Sequence, residues 1–376
     1  MSKTLLLVPA GFANVTEHLD RSMADKLARC IFDLLRLTAM QKERMHRRHW
    51  IEIPDTTWRI WFGGDASKVK RFARELGLME SNRSYSSMGT ETRDAFGIGY
   101  RITAGYHGSN LEEYVLRRKP RGSSSDKARY RNLDEVGLWL AGMLPLFDLD
   151  LEISDLKCVW EVIQATVIRA ADHYAVRCEY GRFHSQFTSI SRDLRKRLMI
   201  RHSHDGALAM TDVRNSQPLT LGLLASMEGV DCHKWIDLCS RGMLYEVIAK
   251  ESGCSRTQAK ADFLPMVFDR VKAMQRYSSF GYLKRAFPEI VDFMIETKKG
   301  DYRLLAQRCQ KLESRIFIDG ACGSLMEVGF EIPMLTVHDA VITTREGIEV
   351  VERAIRAKYR EHKTEASLKK SLVREE

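Results

Sequence analysis

The eight cysteines of this 376-residue chain include no Cys-x-x-Cys pair. Nothing therefore points to structural zinc or a disulfide framework, and a reducing cytoplasm is the expected setting. No stretch approaches the ~18 apolar residues of a membrane span. The run Leu5-Leu6-Leu7-Val8-Pro9 is too short for a secretory leader and lacks a cleavage pattern. Internal repeats and low-complexity blocks are absent. His202-Ser-His204 lacks the second ligand cluster a metal site needs. Acidic residues are in the minority, 50 Asp and Glu against 59 Lys and Arg, for a formal charge of +9. That balance suits a polyanionic partner such as nucleic acid.

Residues able to do chemistry gather in three stretches. In residues 335–344, two β-rich runs flank His338-Asp339, which predicts a tight hairpin lifting one carboxylate to its tip. Ile348, Val351, Ile355 and Tyr359 then share one face of a predicted helix. By itself, an aspartate at a hairpin tip is an ordinary turn residue. A second strand-end aspartate changes the balance. An apolar run over 207–210 leads into Asp212, and a helix follows with Ser216 as its expected N-cap and Pro218 in its first turn. Paired aspartates are what two-metal phosphoryl chemistry needs, because hard oxygen ligands hold Mg²⁺ together with substrate phosphates. Between them, Arg256 and Lys260 share a helix face that Leu264 and Phe268 extend. Two cations and an apolar shelf suit a triphosphate and a base, and the same pattern describes a plain solvated amphipathic helix. Pro265 inside the run predicts a kink or an early end.

Taken in this order, the stretches resemble the signature motifs of the family-A DNA polymerases and the related single-subunit phage RNA polymerases. The family pattern is a strand-borne Asp before a polar helix start, then Arg-x3-Lys-x7-Tyr-Gly, then Val-His-Asp. The matching positions are Asp212, then Arg256, Lys260 and Phe268, then Val337-His338-Asp339. Gly181-Arg182-Phe183-His184-Ser185-Gln186-Phe187 is similar to the family's Gly-Arg-x-His-Thr-x-Phe run, and Gln310 stands where the family keeps a Gln facing the growing duplex. The resemblance runs from about residue 180 to residue 359.

The resemblance implies an α+β fold, a right-hand polymerase palm with helical fingers, and template-directed nucleotidyl transfer, with DNA synthesis without proofreading as the first reading. Asp212 and Asp339 are implied as catalytic and metal ligands for two Mg²⁺ ions, with Mn²⁺ as the alternative ion. Arg256, Lys260, Leu264, Phe268 and Gln217 are implied around the incoming nucleotide. Arg182, His184, Gln310 and His338 are implied as nucleic-acid contacts, together with Arg192, Arg195 and Arg197 of a basic cluster before Asp212. The implied partners are a DNA primer–template, nucleoside triphosphates and a replication accessory protein, with no membrane. Phe268 stands where the family has Tyr, Asp269 where it has Gly, and Leu264 where it has an aromatic. Gln217 stands where it has the Glu that screens the sugar 2′ position, and Ala340 where it has Glu. The metal-binding pair is thus intact while the sugar-reading positions depart. RNA or mixed-sugar synthesis is one alternative, and a non-catalytic DNA-binding replication or regulatory protein is another.

Nearer the N-terminus, residues 22–37 predict an amphipathic helix capped by Ser22, with Leu27, Ile31, Leu34 and Leu35 inward. Lys42, Arg44, Arg47 and Arg48 make the next segment basic. A helix over 65–76 bearing Lys68, Lys70, Arg71 and Arg74 closes at Gly77, and strands follow over 78–86 and 98–103. Helix, strand, loop, strand is a winged-helix order, so a basic DNA-contacting module is expected, or else a small packing domain with a charged surface. The expected map is a winged-helix-like region 1–116, a basic linker 117–127 and reduced thumb helices within 128–180. Palm 181–233, fingers 234–300, palm 301–366 and a charged, mobile tail 367–376 complete it. Helices are predicted at 133–146, 156–174, 234–250, 256–274, 282–297 and 302–325.

Overall fold

The computed structural model describes residues 4–40, 50–82, 98–103, 111–116, 130–151, 159–169, 173–201 and 207–374. The expected linker 117–127, the basic segment 41–49 and His202–His204 lie outside them. Helix and sheet are mixed throughout. The chain forms two compact units, one of Met1–Tyr130, Phe147–Tyr174 and Ser189–Leu198, the other of Arg131–Leu146, Ala175–Thr188 and Met199–Glu376. Among the described residues, no helix is long and apolar enough to cross a membrane.

The first unit opens with strand β1 (Thr4–Pro9), followed by helix α1 (Arg21–Met40) and strand β2 (Ile51–Glu52). Helices α2 (Asp55–Phe62) and α3 (Ala66–Glu75) come next, then strands β3 (Met79–Ser81), β4 (Gly99–Ile102) and β5 (Leu111–Leu116). Strand β5 returns to pair antiparallel with β1, while β2, β4 and β3 form a second sheet in that order. Leu27, Ile31 and Leu34 of α1 are buried as the sequence predicts, in one core with Trp58, Val69, Ala73 and Ile102. The start of α1 differs from expectation. Asp20, not Ser22, meets its free N–H groups, its carboxylate accepting from Met23 at 3.0 Å.

The second unit is built on one antiparallel sheet. Its strands are β6 (Leu208–Val213), β7 (Met334–Val337), β8 (Ala340–Thr344) and β9 (Leu368–Leu372), in the order β7-β8-β6-β9. The hairpin β7–β8 turns in two residues, with His338 at φ 58. Between β6 and β7 the chain is helical: α4 (Ser216–Met227), α5 (His233–Ser240), α6 (Leu244–Ser252), α7 (Arg256–Phe268), α8 (Phe280–Ala286), α9 (Pro288–Thr297) and α10 (Leu304–Ser314). A π-helical stretch, Arg315–Cys322, continues α10. Helix α11 (Ile348–Glu361) buries Ile348, Val351, Ile355 and Tyr359, the row read from the sequence.

Several boundaries fall elsewhere than expected. The helix predicted over 234–250 breaks at Gly242, whose φ of 72 suits glycine. The one predicted over 282–297 breaks before Pro288, which starts α9. The helix predicted over 256–274 ends early, at Phe268, three residues past Pro265, and a separate short helix, Val271–Met274, follows. The charged tail is not loose: residues 368–372 add β9 to the sheet beside β6. Its lysines suit an edge strand, where charge discourages further pairing.

Candidate active site

Strand β6 lies between β8 and β9, and this places the two aspartates. Asp212 sits opposite Ala340 on β8 and opposite Lys369 on β9. Asp339 immediately precedes Ala340, and its carbonyl accepts from Val213 N–H at 3.3 Å. Both carboxylates therefore stand at the same end of neighbouring strands. Together they line a cleft of about 650 Å³.

Across the cleft stands α7. Its N-cap is Ser255, whose hydroxyl accepts from Gln258 N–H at 3.1 Å. From that start, Arg256, Lys260, Leu264 and Phe268 recur every fourth residue, and all four line the cleft. Ala259, Phe263, Met266 and Val267 face inward instead. The far end of α7 is held by Lys298, a buried ammonium that donates to the carbonyls of Met266 and of Asp269, the latter at 2.7 Å. A cation suits a helix C-terminus. Burial nevertheless lowers the Lys298 pKa to about 8.

Asn215 links the first aspartate to the helices. It sits at φ 54 just before α4, where the expected N-cap, Ser216, is the first helical residue. With its amide oxygen turned toward α6, Asn215 accepts from Met243 N–H at 3.2 Å and Leu244 N–H at 3.1 Å. That bond holds the start of α6 at the cleft, so Tyr245 and Glu246 also line it. Glu246 binds Arg256 Nε at 2.7 Å. Tyr245 is 3% exposed, packs edge-on to Phe263 with centroids 5.9 Å apart, and lies under the Arg256 guanidinium. No hydrogen bond to its hydroxyl occurs among the described residues. Burial and the Asp339 charge keep that phenol protonated, outweighing Arg256.

Glu313, at the end of α10, is the polar hub beneath the site. It is 3% exposed and accepts from Ser216 Oγ at 3.0 Å, Gln217 Nε2 at 2.6 Å and Arg182 Nε at 3.1 Å. Burial pushes the Asp339 carboxyl up to about 7, and the charges of Glu313 and Asp212 push the same way. Among the described residues, no group of three or more His, Cys, Asp or Glu side chains can hold a metal. Two hard carboxylates do fit Mg²⁺, an ion that keeps several waters and shares substrate phosphates.

Most residues expected at the site from the sequence do line the cleft: Asp212, Asp339, Arg256, Lys260, Leu264, Phe268, Gln217, Arg182 and His338. His184 lies on the short strand Phe183–Ser185, and burial followed by the Arg182 charge lowers its pKa. Gln310 is half-buried one turn before Glu313 and is not among the cleft residues. Arg192, Arg195 and Arg197 belong to the first unit, in and just after the short helix Arg192–Arg195. Sequence reasoning missed Glu313, Tyr245, Glu246, Arg214 and Lys369. Glu313 left a trace, a charged residue on the row of Ala306 and Cys309, which is otherwise apolar and buried.

No protein-family model and no curated protein sequence matches the chain. Among solved structures, it is similar to the POL domain of Pol1 from M. smegmatis in complex with DNA primer–template and dNTP. The TM-score is 0.40 at 10% identity, covering 96% of this chain and 68% of that one. That likeness is too weak to establish a shared fold.

Proposed function

We propose that the cleft is the active site of a compact template-directed nucleotidyltransferase, most simply a DNA-dependent DNA polymerase without proofreading. One observation carries this reading. Asp212 and Asp339 end adjacent strands on one wall of a cleft, and the other wall is the Arg256–Lys260–Leu264–Phe268 row. In this reading the four-stranded sheet is a palm and the helices between β6 and β7 are fingers.

The reaction joins a primer 3′-hydroxyl to the α-phosphorus of a nucleoside triphosphate. One P–O bond forms, the α–β bridging bond breaks, the hydroxyl proton leaves to solvent and pyrophosphate departs. Asp212 and Asp339 would hold two Mg²⁺ ions, which when bound would supply Lewis acidity and neutralise charge. Arg256 and Lys260 bind the β- and γ-phosphates, with Arg256 exchanging Glu246 for phosphate. Leu264 and Phe268 give the base an apolar shelf. Arg182 and His338 flank the primer end.

Sugar reading falls to Tyr245 as well as Gln217. The Gln217 amide is engaged by Glu313, whereas the Tyr245 ring is locked against Phe263 and its hydroxyl is free to meet a sugar. Primer extension with Mg²⁺ and labelled dNTPs or rNTPs tests the reading. Incorporation that follows the template and is lost in Asp212→Asn is the expected result. No incorporation with either nucleotide set, over any metal condition, would overturn it.

A further inference from the structure

The first unit carries its own charged face. Its chain runs α1, β2, α2, a tight turn, α3, β3 and β4, and its sheet is ordered β2-β4-β3. Helices α2 and α3 are joined only by Gly63-Gly64-Asp65. Gly63 sits at φ 56 with nothing within 4 Å of an added Cβ, so backbone conformation, rather than space, requires glycine there. The Lys26–Asp65 ion pair at 2.5 Å ties this turn to α1. Ala66, Val69 and Ala73 seat α3 on α1 through small side chains, so the helix is held rigidly by one face.

The opposite face of α3 is exposed and presents Ser67, Lys68, Arg71, Arg74 and Glu75. These positions follow helical spacing, so they form one strip. At 10 residues, α3 is about 15 Å long at the α-helical rise, and an α-helix fits the ~12 Å major groove of B-DNA. The strip carries three cations against one carboxylate. The Arg71–Glu75 pair is loose, at 3.8 Å with both side chains more than half exposed, and yields readily to a stronger anion.

We infer that α3 is a recognition helix that enters the major groove of double-stranded DNA and reads a particular base sequence. Arg71 and Lys68, at mid-strip, contact base edges, for which arginine and lysine suit guanine. Arg74 contacts phosphate. Duplex RNA is excluded by its deep, narrow major groove. This activity is independent of the polymerase reading.

The test is parallel selection of the full-length protein on duplex DNA, single-stranded DNA and duplex RNA libraries with a randomised centre, followed by anisotropy titration of the enriched and scrambled sequences. The expected result is one enriched sequence class bound at least about 10³-fold more tightly than scrambled DNA. Arg71→Ala should reduce that ratio by about tenfold or more. The residue is exposed, so folding should survive, and a thermal melt matching the wild type serves as the control for an intact chain. Three outcomes would overturn the inference: no enrichment, enrichment on RNA or single strands instead, or a ratio unchanged in the Lys68→Ala/Arg71→Ala double variant.

Discussion

Gln217 donates its side-chain N–H to Glu313 across 2.6 Å. That bond draws the amide toward a buried carboxylate that also holds Ser216 and Arg182. A Gln fixed in this way cannot swing freely to crowd a sugar. The Tyr245 ring, packed on Phe263 and under Arg256, is a fixed wall of the same cleft.

Sugar preference should therefore respond more to Tyr245 than to Gln217. Tyr245→Ala should raise rNTP use relative to dNTP use by about tenfold, because the ring's bulk is lost. Tyr245→Phe keeps the bulk and removes a hydroxyl worth roughly 0.5–1.5 kcal/mol in a neutral hydrogen bond. It should weaken nucleotide use about threefold with little change in the sugar ratio. Gln217→Ala should move the ratio by less than about twofold. Single-nucleotide incorporation assays with paired dNTP and rNTP measure all three. A larger shift in Gln217→Ala than in Tyr245→Ala would return the gate to Gln217.

Replacing either aspartate by asparagine removes a hard oxygen charge but little volume. Asp212→Asn and Asp339→Asn should each lower incorporation by at least about 10³-fold, the scale of losing one charge-stabilising group. Affinity for primer–template should stay within a few-fold, because it comes from dispersed Lys and Arg and falls steeply with added salt. Gel-shift titrations at two salt concentrations separate the two effects. Full activity in either variant contradicts the assignment.

The Asp339 carboxyl, raised from 3.8 to about 7, makes stability depend on pH. Between those values the folded chain holds a proton that the unfolded chain has released. The native state thus binds more protons, and stability falls as pH rises through that window. Above pH 7 the loss is complete, and Asp339→Asn should melt roughly 3–8 °C higher than the wild type without metal. Mg²⁺ should raise the wild-type Tm more at pH 8 than at pH 6, since at the lower pH it must displace a proton. Thermal melts with and without MgCl₂ at both pH values check this.

Glu313 is buried and bound to Arg182, whose side chain is 20% exposed. Glu313→Ala should cost on the order of 3 kcal/mol, because it strands a mostly buried guanidinium and two further donors. Arg182→Ala/Glu313→Ala should be less destabilised than the sum of the single variants. Urea midpoints read the cycle, and strict additivity would show that the pair is not coupled.

Much of the site was legible in the sequence because it rests on local pattern. Alternating β-rich runs around His338-Asp339 specify a two-residue hairpin wherever the chain places it. A four-residue spacing puts Arg256, Lys260, Leu264 and Phe268 on one helix face by geometry alone. The strands expected around 78–86 and 98–103 came from the same local signals, and β3 and β4 pair there. Breaks at Gly242 and before Pro288 were missed because apolar periodicity continues across them while the backbone does not.

The sequence by itself determined two strand-end aspartates, a cationic helix face between them and a basic N-terminal helix. Only the tertiary structure decided what meets what. Periodicity states which face of an element is buried, not which neighbour buries it. Glu313 becomes the anchor of Arg182 and Gln217 because α10 packs against α4. Tyr245 reaches the cleft because Asn215, at a left-handed backbone position, caps a helix some thirty residues later in the chain. Lys369 stands opposite Asp212 because the charged C-terminal stretch supplies the edge that β6 would otherwise leave with open hydrogen bonds.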